Sequence, residues 1–248
     1  MDCNAVDAGA QHRYGVPQLK ELGLIDLENA AYTYSGGELL SEMTLSIASG
    51  AFYFLTGPSG SGKTTFLKMC YGALVPTAGS LTIFGQDLRL MSRDDIALAR
   101  RRIGVVHQDC QFLDHLNVVD NIALPLAAAG QDSLAVGANL KELLAWVGLG
   151  HRADALPPEL SGGERQRAAL ARAVIMSPDI ILADEPTGNI DWEMSQRLLQ
   201  LLVELNRMGK TVVIASHDLS LIRAAKTEVQ ARVLRIYNKR VQLAGANL

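Results

Sequence analysis

The sequence AFYFLTGPSGSGKTTFLKMC, residues 51–70, is informative about the fold because it joins three patterns in one short stretch. It begins with a compact apolar run, AFYFL, which is typical of a strand that is covered on both faces. A glycine-rich loop follows, and after it comes a segment with the apolar spacing of a helix. This order of strand, GxxxxGK[ST] loop and helix is typical of a phosphate-binding loop.

Each residue type in this loop has a physical reason. Glycines let the backbone wrap closely enough for several N–H groups to point at phosphate oxygens, and the helix start adds partial positive charge. Lys63 is predicted to bridge the β- and γ-phosphates of a nucleotide, and the Thr64 hydroxyl is predicted to bind Mg²⁺. The predicted nucleotide-binding residues are Gly57, Pro58, Ser59, Gly60, Ser61, Gly62, Lys63, Thr64 and Thr65.

Polar residues also follow three other apolar runs. The run IILADE, residues 180–185, ends in two carboxylates. Asp184 can hold Mg²⁺ directly or through water, and Glu185 can polarise the water that attacks a γ-phosphate; a solvated turn is the alternative. Gln108 follows IGVV and could complete the Mg²⁺ and water shell, whereas His217 follows TVVIAS. Ligands of open α/β sheets bind at such strand ends, although a lone histidine can also be structural.

The remaining sequence predicts additions to a mainly parallel sheet. The runs AFYFL, IGVV, DIILAD and TVVIAS, with helical patterns between them, predict an α/β core. Short, partly alternating segments between residues 24 and 54 predict antiparallel strands, and residues 111–165 predict an inserted helical subdomain. Residues 1–23 are polar and lack periodicity, so we expect a disordered extension before a single domain at 24–248.

Composition favours an ordinary globular protein. A chain of 248 residues with 48% hydrophobic residues can bury a substantial core, and its net charge of −3 gives no basic excess for nucleic acid. Three scattered cysteines favour a reducing compartment, and the apolar runs are far shorter than the roughly 20 residues that cross a bilayer. No secretory signal is evident, so we expect a cytoplasmic protein whose membrane role depends on a partner.

The segment HQDCQFLDH, residues 107–115, offers an alternative kind of site. His107, Cys110 and His115 are residue types that can bind a transition metal. They have no convincing fourth ligand, and their spacing is unlike that of structural zinc sites. The sequence therefore predicts no zinc in this segment.

The stretch LSGGERQR, residues 160–167, is a second glycine-rich helix start, but it lacks a lysine for phosphate. With GPSGSGKT, Gln108, IILADE, TGNID and His217, it resembles the ATP-binding subunits of the ATP-binding-cassette (ABC) superfamily. In that superfamily two subunits pack head to tail, and the LSGG segment of one closes over the nucleotide of the other. The resemblance implies a P-loop NTPase (RecA-like) core, Mg²⁺-dependent ATP hydrolysis and an ATP-dependent homodimer.

The resemblance also implies roles for individual residues. Tyr34 would stack on adenine, although a half-buried strand tyrosine is the alternative because Tyr32 is close by. Asp191, after TGNI, would link the two nucleotide sites, and His217 would join Gln108 and Glu185 in catalysis. The signature residues implied to act in trans are Ser161, Gly162, Gly163 and Glu164.

Longer stretches narrow the resemblance to the cell-division ATP-binding subunits. They include PTAGSLTIFGQDL and LLVELNRMGKTVVIASHD, and the similarity runs from about residue 24 to 243. Such subunits work with a transmembrane protein that regulates cell-wall hydrolysis, which implies a peripheral position on the cytoplasmic face of the inner membrane. Macrolide-export and lipoprotein-release ATPases share ADEPTGN and are the alternative. His107 departs from the pattern, because an aromatic residue is usual there.

The segment after Gln108 predicts a contact with this partner. Gln108 directly precedes the helical insertion, so we expect movement of one to move the other. Apolar side chains are more numerous here than a polar surface requires, and we expect some to line a groove for a short partner helix. Ordinary packing against the core is the alternative. These side chains are Phe112, Leu113, Leu116 and Val118.

Overall fold

The computed structural model of the protein describes residues 23–131, 133–188 and 190–244. The predicted disordered extension lies outside these ranges except for Gly23, so it stays a prediction. In chain order, the strands of the described residues are β1 Ile25–Tyr34, β2 Gly37–Ile47, β3 Phe52–Thr56, β4 Ala78–Ile83, β5 Gln86–Asp87, β6 Ile103–Val106, β7 Ile180–Asp184, β8 Thr211–Ala215, β9 Ala231–Tyr237 and β10 Arg240–Leu243. The α-helices of the same ranges are α1 Lys63–Cys70, α2 Arg93–Arg101, α3 Val118–Ala128, α4 Ser133–Trp146, α5 Gly162–Val174, α6 Trp192–Arg207 and α7 Leu219–Glu228.

The strands form two sheets of different type. The larger sheet has the order β10-β9-β3-β8-β7-β6, and its strands are parallel from β9 to β6. Strand β10 pairs with β9 in the antiparallel direction. The smaller sheet is antiparallel, in the order β2-β1-β4-β5. The predicted α/β fold, with a mainly parallel core and added antiparallel strands, is confirmed.

Successive side chains of β3 point to opposite faces of the sheet, and each face is covered by a different cluster. Phe52 and Phe54 belong to a buried cluster with side chains of α6 and α7. Tyr53 and Leu55 point to the other face, where they join a cluster that includes α1 and the antiparallel sheet. A strand with apolar partners on both faces reads as a continuous apolar run, which is the pattern of AFYFL.

The strand register places four strand ends at one edge of the parallel sheet. Leu55 of β3 and Asp184 of β7 both pair with Ala215 of β8. Val106 of β6 pairs with Ala183, one position before Asp184. The chain segments that leave these four strands therefore begin at the same edge, and all the predicted phosphate-binding and catalytic residues follow there.

A third apolar cluster joins α3 and α4 to helix α5. Ala168 and Ala171 of α5 face this cluster, whereas Ala169 and Leu170 face the sheet. Helices α3 and α4 are called the helical segment below. Helix α5 therefore packs on the core and on the helical segment at the same time. Within the described ranges, every helix is too short or too polar to span a bilayer.

Candidate nucleotide-binding site

The carboxyl edge of the parallel sheet borders a cavity of about 680 Å³. Segments after β3, β6, β7 and β8 meet there, as the sequence predicted. The cavity brings together most of the predicted phosphate-loop residues and all four predicted residues that follow the other strands. It is lined by Leu39, Gly57, Pro58, Ser59, Gly60, Gly62, Lys63, Thr64, Thr65, Gln108, Asp184, Glu185, Gly188 and His217.

Helix α1 begins at this cavity without a side-chain cap. Its N-cap residue is Gly62, with a φ of 104°, and no side chain accepts a hydrogen bond from the first turn. The left-handed conformation favours glycine, and an added Cβ would lie 3.0 Å from Leu40 Cδ2. The first turn also contains no acidic residue. Its N–H groups and partial positive charge are therefore available to an anion.

Lys63 supplies a full positive charge at the same position. Its Nζ donates to the carbonyl oxygens of Gly57 at 3.0 Å and of Pro58 at 3.3 Å, and it lies 3.3 Å from Glu185 Oε1. Because the side chain is only 10% exposed, these oxygens replace most of the water that an ammonium requires. Phosphate oxygens can take over the same role.

Glu185 connects this cation with His217. His217 Nδ1 lies 3.0 Å from Glu185 Oε2 and 3.1 Å from Oε1. Glu185 has a φ of 46°, an uncommon conformation for a non-glycine residue, and its N–H donates to the Ala215 carbonyl at 2.9 Å. Backbone strain of this kind concentrates at functional sites. The fold therefore holds one carboxylate between a lysine and a histidine at the cavity wall.

Asp184 has the surroundings of a cation ligand. Burial raises the pKa of its carboxyl group, and the adjacent Glu185 carboxylate adds to this effect. The Thr64 hydroxyl, which bonds to the carboxylate, and the Lys63 ammonium act in the opposite direction on this pKa. Asp184 Oδ1 is buried and has no hydrogen-bond partner. A divalent cation would satisfy that oxygen and act against the raised pKa.

The signature segment forms the start of α5 and does not line this cavity. Ser161 Oγ accepts a hydrogen bond from the Glu164 N–H, while the Ser161 N–H donates to Glu164 Oε2 at 2.8 Å. Arg152 Nε donates to the other carboxylate oxygen at 3.0 Å. Mainly through the Ser161 backbone bond, the pKa of Glu164 falls to about 2. The helix start therefore already has a negative partner.

Comparison with known proteins identifies the family. Residues 40–188 match the ABC transporter family.

The chain belongs to the ABC transporter family.

Among curated relatives of this ABC cassette are proteins named cell division ATP-binding protein FtsE. The FtsE of Haemophilus influenzae is 41% identical over 202 residues, which cover 81% of this chain and 93% of the relative. The FtsE of Bacillus subtilis is 38% identical over 209 residues, with 84% and 92% covered. A solved dimeric ATP-binding cassette in a post-hydrolysis state, bound to ADP and Pi, has a TM-score of 0.79. It is 32% identical, and the match covers 88% of this chain and 96% of that one.

Tyr34 lies at the end of β1, near the phosphate-loop helix of the cassette. Its hydroxyl is 3.3 Å from Thr65 Oγ1, and its side chain is 45% exposed. The Tyr32 ring packs edge-on at 4.8 Å, and Tyr32 also contacts the core. Tyr34 is therefore the more accessible of the two rings, although it is not among the residues that line the cavity.

The second signature glycine lies close to the segment that contains Asp191. A Cβ added at Gly163 would lie 3.0 Å from Met194 Cγ, so the Met194 side chain would have to shift to admit one. Asp191 caps α6 by accepting a hydrogen bond from the Met194 N–H at 2.9 Å. Asn189, in the predicted TGNID motif, lies outside the described residues.

A second cavity, of about 540 Å³, lies between the core and the helical segment. Its wall includes His107, Gln111 and Arg172, and none of the four apolar residues that the sequence suggested. Val118 is 1% exposed and packs in the helical cluster, so ordinary packing explains it. Among the described residues, His, Cys, Asp and Glu side chains form no group of three that could hold a metal ion.

The sequence does not single out two arginine side chains that shape these sites. Arg152 bonds to Glu164 from a 3-10 turn, and Arg172 lies on α5 within an ordinary helical pattern. The only local signal was a basic residue on a helix, which usually indicates a solvated face. The partner of Arg152 lies 12 positions away and the carbonyls that Arg172 contacts lie 61 and 62 positions away, and the fold brings them together.

Proposed function

We propose that this chain is the ATP-hydrolysing subunit of a cell-division complex of the FtsE type, with an FtsX-like transmembrane partner. The proposal depends on one observation above all. The open start of α1 and the Lys63, Asp184, Glu185 and His217 side chains meet in one cavity of an ABC cassette. FtsE names predominate among the curated relatives described above, which supports the cell-division role.

In the proposed binding step, the phosphates of ATP lie at the start of α1. Lys63 exchanges its contact with Glu185 for the β- and γ-phosphate oxygens. Thr64 and Asp184, with Gln108, would hold Mg²⁺, and the unpartnered Asp184 oxygen fits that role. Bound Mg²⁺ supplies positive charge that offsets the charge of the phosphates during transfer. Tyr34 would stack on the adenine ring.

Glu185 is the proposed base for hydrolysis. Its carboxylate lies at the cavity wall, where it can accept a proton from a water that attacks the γ-phosphate. Once Lys63 turns to the phosphates, the His217 ring still contacts both carboxylate oxygens and fixes their direction. His217 is thus a proposed orienting group for Glu185, and its ring is exposed at the cavity.

A second copy of the chain is proposed to complete each site. The cavity wall contains none of the signature residues, and the start of α5 has its own carboxylate cap. In a head-to-tail homodimer, Ser161, Gly162 and Gly163 of one chain would cover the γ-phosphate bound by the other. Asp191 would lie where the two sites meet. The dimeric arrangement of a related cassette supports this assembly.

The cavity between core and helical segment is the proposed contact with the transmembrane partner. It shares its wall with the segment that directly follows Gln108, so a partner bound there is adjacent to the nucleotide cavity. We propose that residues 24–248 form one ATP-binding domain with a helical subdomain at about 111–165. The domain would act at the cytoplasmic face of the inner membrane and bind no nucleic acid.

A complementation experiment tests this proposal. The chain is produced together with the FtsX-like membrane protein of its source organism in bacteria depleted of their own FtsE. If division fails in the depleted bacteria, they grow into long filaments. We expect the chain to return these cells to normal length, and we expect the matched Glu185→Gln chain to leave them filamentous. Recovery of lipoprotein release or macrolide export without recovery of division would contradict the cell-division role. ATPase activity that survives removal of Mg²⁺ by a chelator would contradict the metal requirement.

A further inference from the structure

Arg172 makes an unusual set of contacts from the last turn of helix α5. Its guanidinium donates to the carbonyl oxygens of two consecutive residues, Gln111 at 2.8 Å and Cys110. The same guanidinium lies over the Phe112 ring, 4.7 Å from its centroid. A planar cation with several donors can bind two carbonyl groups and an aromatic face together, and lysine cannot do the same.

The turn that Arg172 holds has a strained backbone. Cys110 has a φ of 57° and Gln111 a φ of 46°, so two consecutive non-glycine residues adopt the left-handed conformation. Such conformations persist only where the surroundings compensate for their cost. The two hydrogen bonds from Arg172 end on the carbonyl groups of these same residues. Together with the backbone bonds from the Cys110 N–H to the His107 carbonyl and from the Gln111 N–H to the Asp109 carbonyl, they hold the turn in this conformation.

The turn lies between the nucleotide cavity and the second cavity. Gln108 lines the first cavity, whereas Gln111 and Arg172 line the second. On the far side, the buried Asn121 amide donates to the Leu113 and Leu116 carbonyls and ties the next part of the chain to α3. Only residues 109–112 lie between Gln108 at the nucleotide cavity and Leu113, which is tied to α3. Arg172 holds the middle of this short segment.

We propose that Arg172 is a positioning residue: it holds the Cys110–Gln111 turn so that Gln108 stays directed into the nucleotide cavity of its own chain. Through this turn it links the nucleotide cavity to the cavity between core and helical segment. The inference rests on the proposed ATPase function. Arg172 contacts neither the nucleotide cavity nor its proposed catalytic groups, so it acts through the turn.

A purely structural role of Arg172 would have a different consequence. Arg172 lies on α5, and α5 begins with the signature residues. If Arg172 only stabilised this helix, its loss would damage the nucleotide site of the partner chain, which uses that signature. It would damage the site of its own chain as well, because Gln166 of α5 also donates to the Gln108 carbonyl at 3.4 Å. If Arg172 acts through Gln108, its loss damages only the site of its own chain. The two roles therefore differ in which of the two sites is affected.

Heterodimers with one active site separate these roles. One chain carries Lys63→Ala and supplies an intact signature, and the other carries Ser161→Arg and supplies an intact phosphate loop. Arg172→Lys, which keeps the charge, is then added to either chain. We expect kcat to fall roughly tenfold to a hundredfold, with little change in KM for ATP, when it is on the phosphate-loop chain. On the signature chain we expect little change.

The opposite pattern, or an equal loss on both chains, overturns the proposal. Arg102→Lys on the phosphate-loop chain is the matched control, since Arg102 also combines a hydrogen bond, here to the Asp179 carboxylate, with stacking on a ring, Phe84. We expect it to leave kcat unchanged. If the Lys63→Ala and Ser161→Arg heterodimer is inactive even without Arg172→Lys, that result would instead contradict the shared sites of the proposed function. In that event the thiol measurement below decides the role of Arg172.

Thiol labelling tests the turn without any assay of ATP hydrolysis. Cys110 and Cys70 are both buried, and Cys70 lies in α1, away from the turn. In a Cys3→Ser background, we expect Arg172→Lys to accelerate the reaction of Cys110 with iodoacetamide while Cys70 stays protected. An unchanged Cys110 rate overturns the proposal, because the turn then does not depend on Arg172. Equal acceleration at both thiols also overturns it, because the whole fold is then loosened.

Discussion

The starts of helices α1 and α5 are both rich in glycine, yet their hydrogen bonding is opposite. Helix α1 begins after Gly62 with no side-chain cap and no acidic residue in its first turn. Helix α5 begins with a reciprocal cap between Ser161 and Glu164, and Arg152 holds the carboxylate in place. One helix start is therefore open to an anion, and the other already carries one.

Glycine alone does not make a helix start into an anion site. Glycine lets the backbone approach a ligand, but an anion is held only where N–H groups and positive charge remain available. At α1, Lys63 adds a cation to such free groups. At α5, the Glu164 carboxylate would repel an isolated phosphate. Its surface can contribute to an anion site when another chain supplies most of the positive charge.

The largest expected effect comes from the proposed base beside the open helix start. Glu185→Gln keeps the shape of the side chain but cannot accept the proton from water, so we expect ATP hydrolysis to fall by roughly 10²–10⁴. ATP binding should persist, and closed dimers should accumulate. Steady-state turnover and size-exclusion chromatography measure these effects, with Glu193→Gln on the surface of α6 as the control. Near-normal turnover would refute the assignment of Glu185.

Removal of the cation at α1 is expected to have the next largest effect. Lys63→Ala eliminates a charge-assisted contact that binds phosphate before and during hydrolysis, so ATP affinity should fall roughly tenfold to a hundredfold. Calorimetric titration of ATP measures this change. Lys68→Ala is the matched control because Lys68 lies in the last turn of the same helix. Equal affinities for the two variants would mean that the open start of α1 does not bind phosphate.

Mixing two inactive chains tests whether the two helix starts work together. Lys63→Ala and Ser161→Arg homodimers each lack one half of every proposed site, so both should be inactive. Their mixture should regain part of the wild-type activity, because one site then combines an intact phosphate loop with an intact signature. Activity of the wild-type chain should also rise with its concentration. No recovery in a mixture that forms dimers would argue against shared sites, unless both must turn over together.

The smallest expected effect concerns the stability of the capped helix start. The folded chain lowers the pKa of Glu164 from 4.5 to about 2, so its stabilisation is complete above pH 4.5 and is lost as the pH falls through about 2. Glu164→Gln cannot titrate, and we expect it to lower the free energy of unfolding near pH 7 by about 1 kcal/mol.

Urea unfolding at several pH values measures this difference. It should shrink between pH 4.5 and pH 2, while ATP affinity of the isolated chain stays unchanged because α5 does not line the cavity. A difference that does not depend on pH would show that the carboxylate charge contributes nothing.

Local patterns were sufficient to predict the parallel strands and the residues at their ends. AFYFL, IILAD and TVVIA are buried on both faces, so their composition directly reports their position in the sheet. Parallel strands have their carboxyl ends at one edge, which brought Lys63, Glu185 and His217 into one cavity. The roles of these residues in binding and catalysis remain predictions.

The parts that could not be predicted depend on contacts between distant segments. Val118 is apolar and begins a helix, but whether it lines a groove or a core depends on how α3, α4 and α5 pack. Arg172 contacts carbonyl groups about 60 positions earlier in the chain. A helical arginine gives no indication of such a partner, since backbone carbonyls have no sequence signature.

The close approach of Gly163 to Met194 has a consequence for how the cassette can change shape. The thioether of Met194 also accepts a hydrogen bond from Arg167, so one residue of α6 touches the signature helix at two points. An unbranched, polarisable side chain can follow small sliding movements of its neighbours without losing contact. The start of α6 therefore stays packed on the start of α5 during such movements. A displacement of Asp191 by a second chain would in this way be transmitted to Gly163.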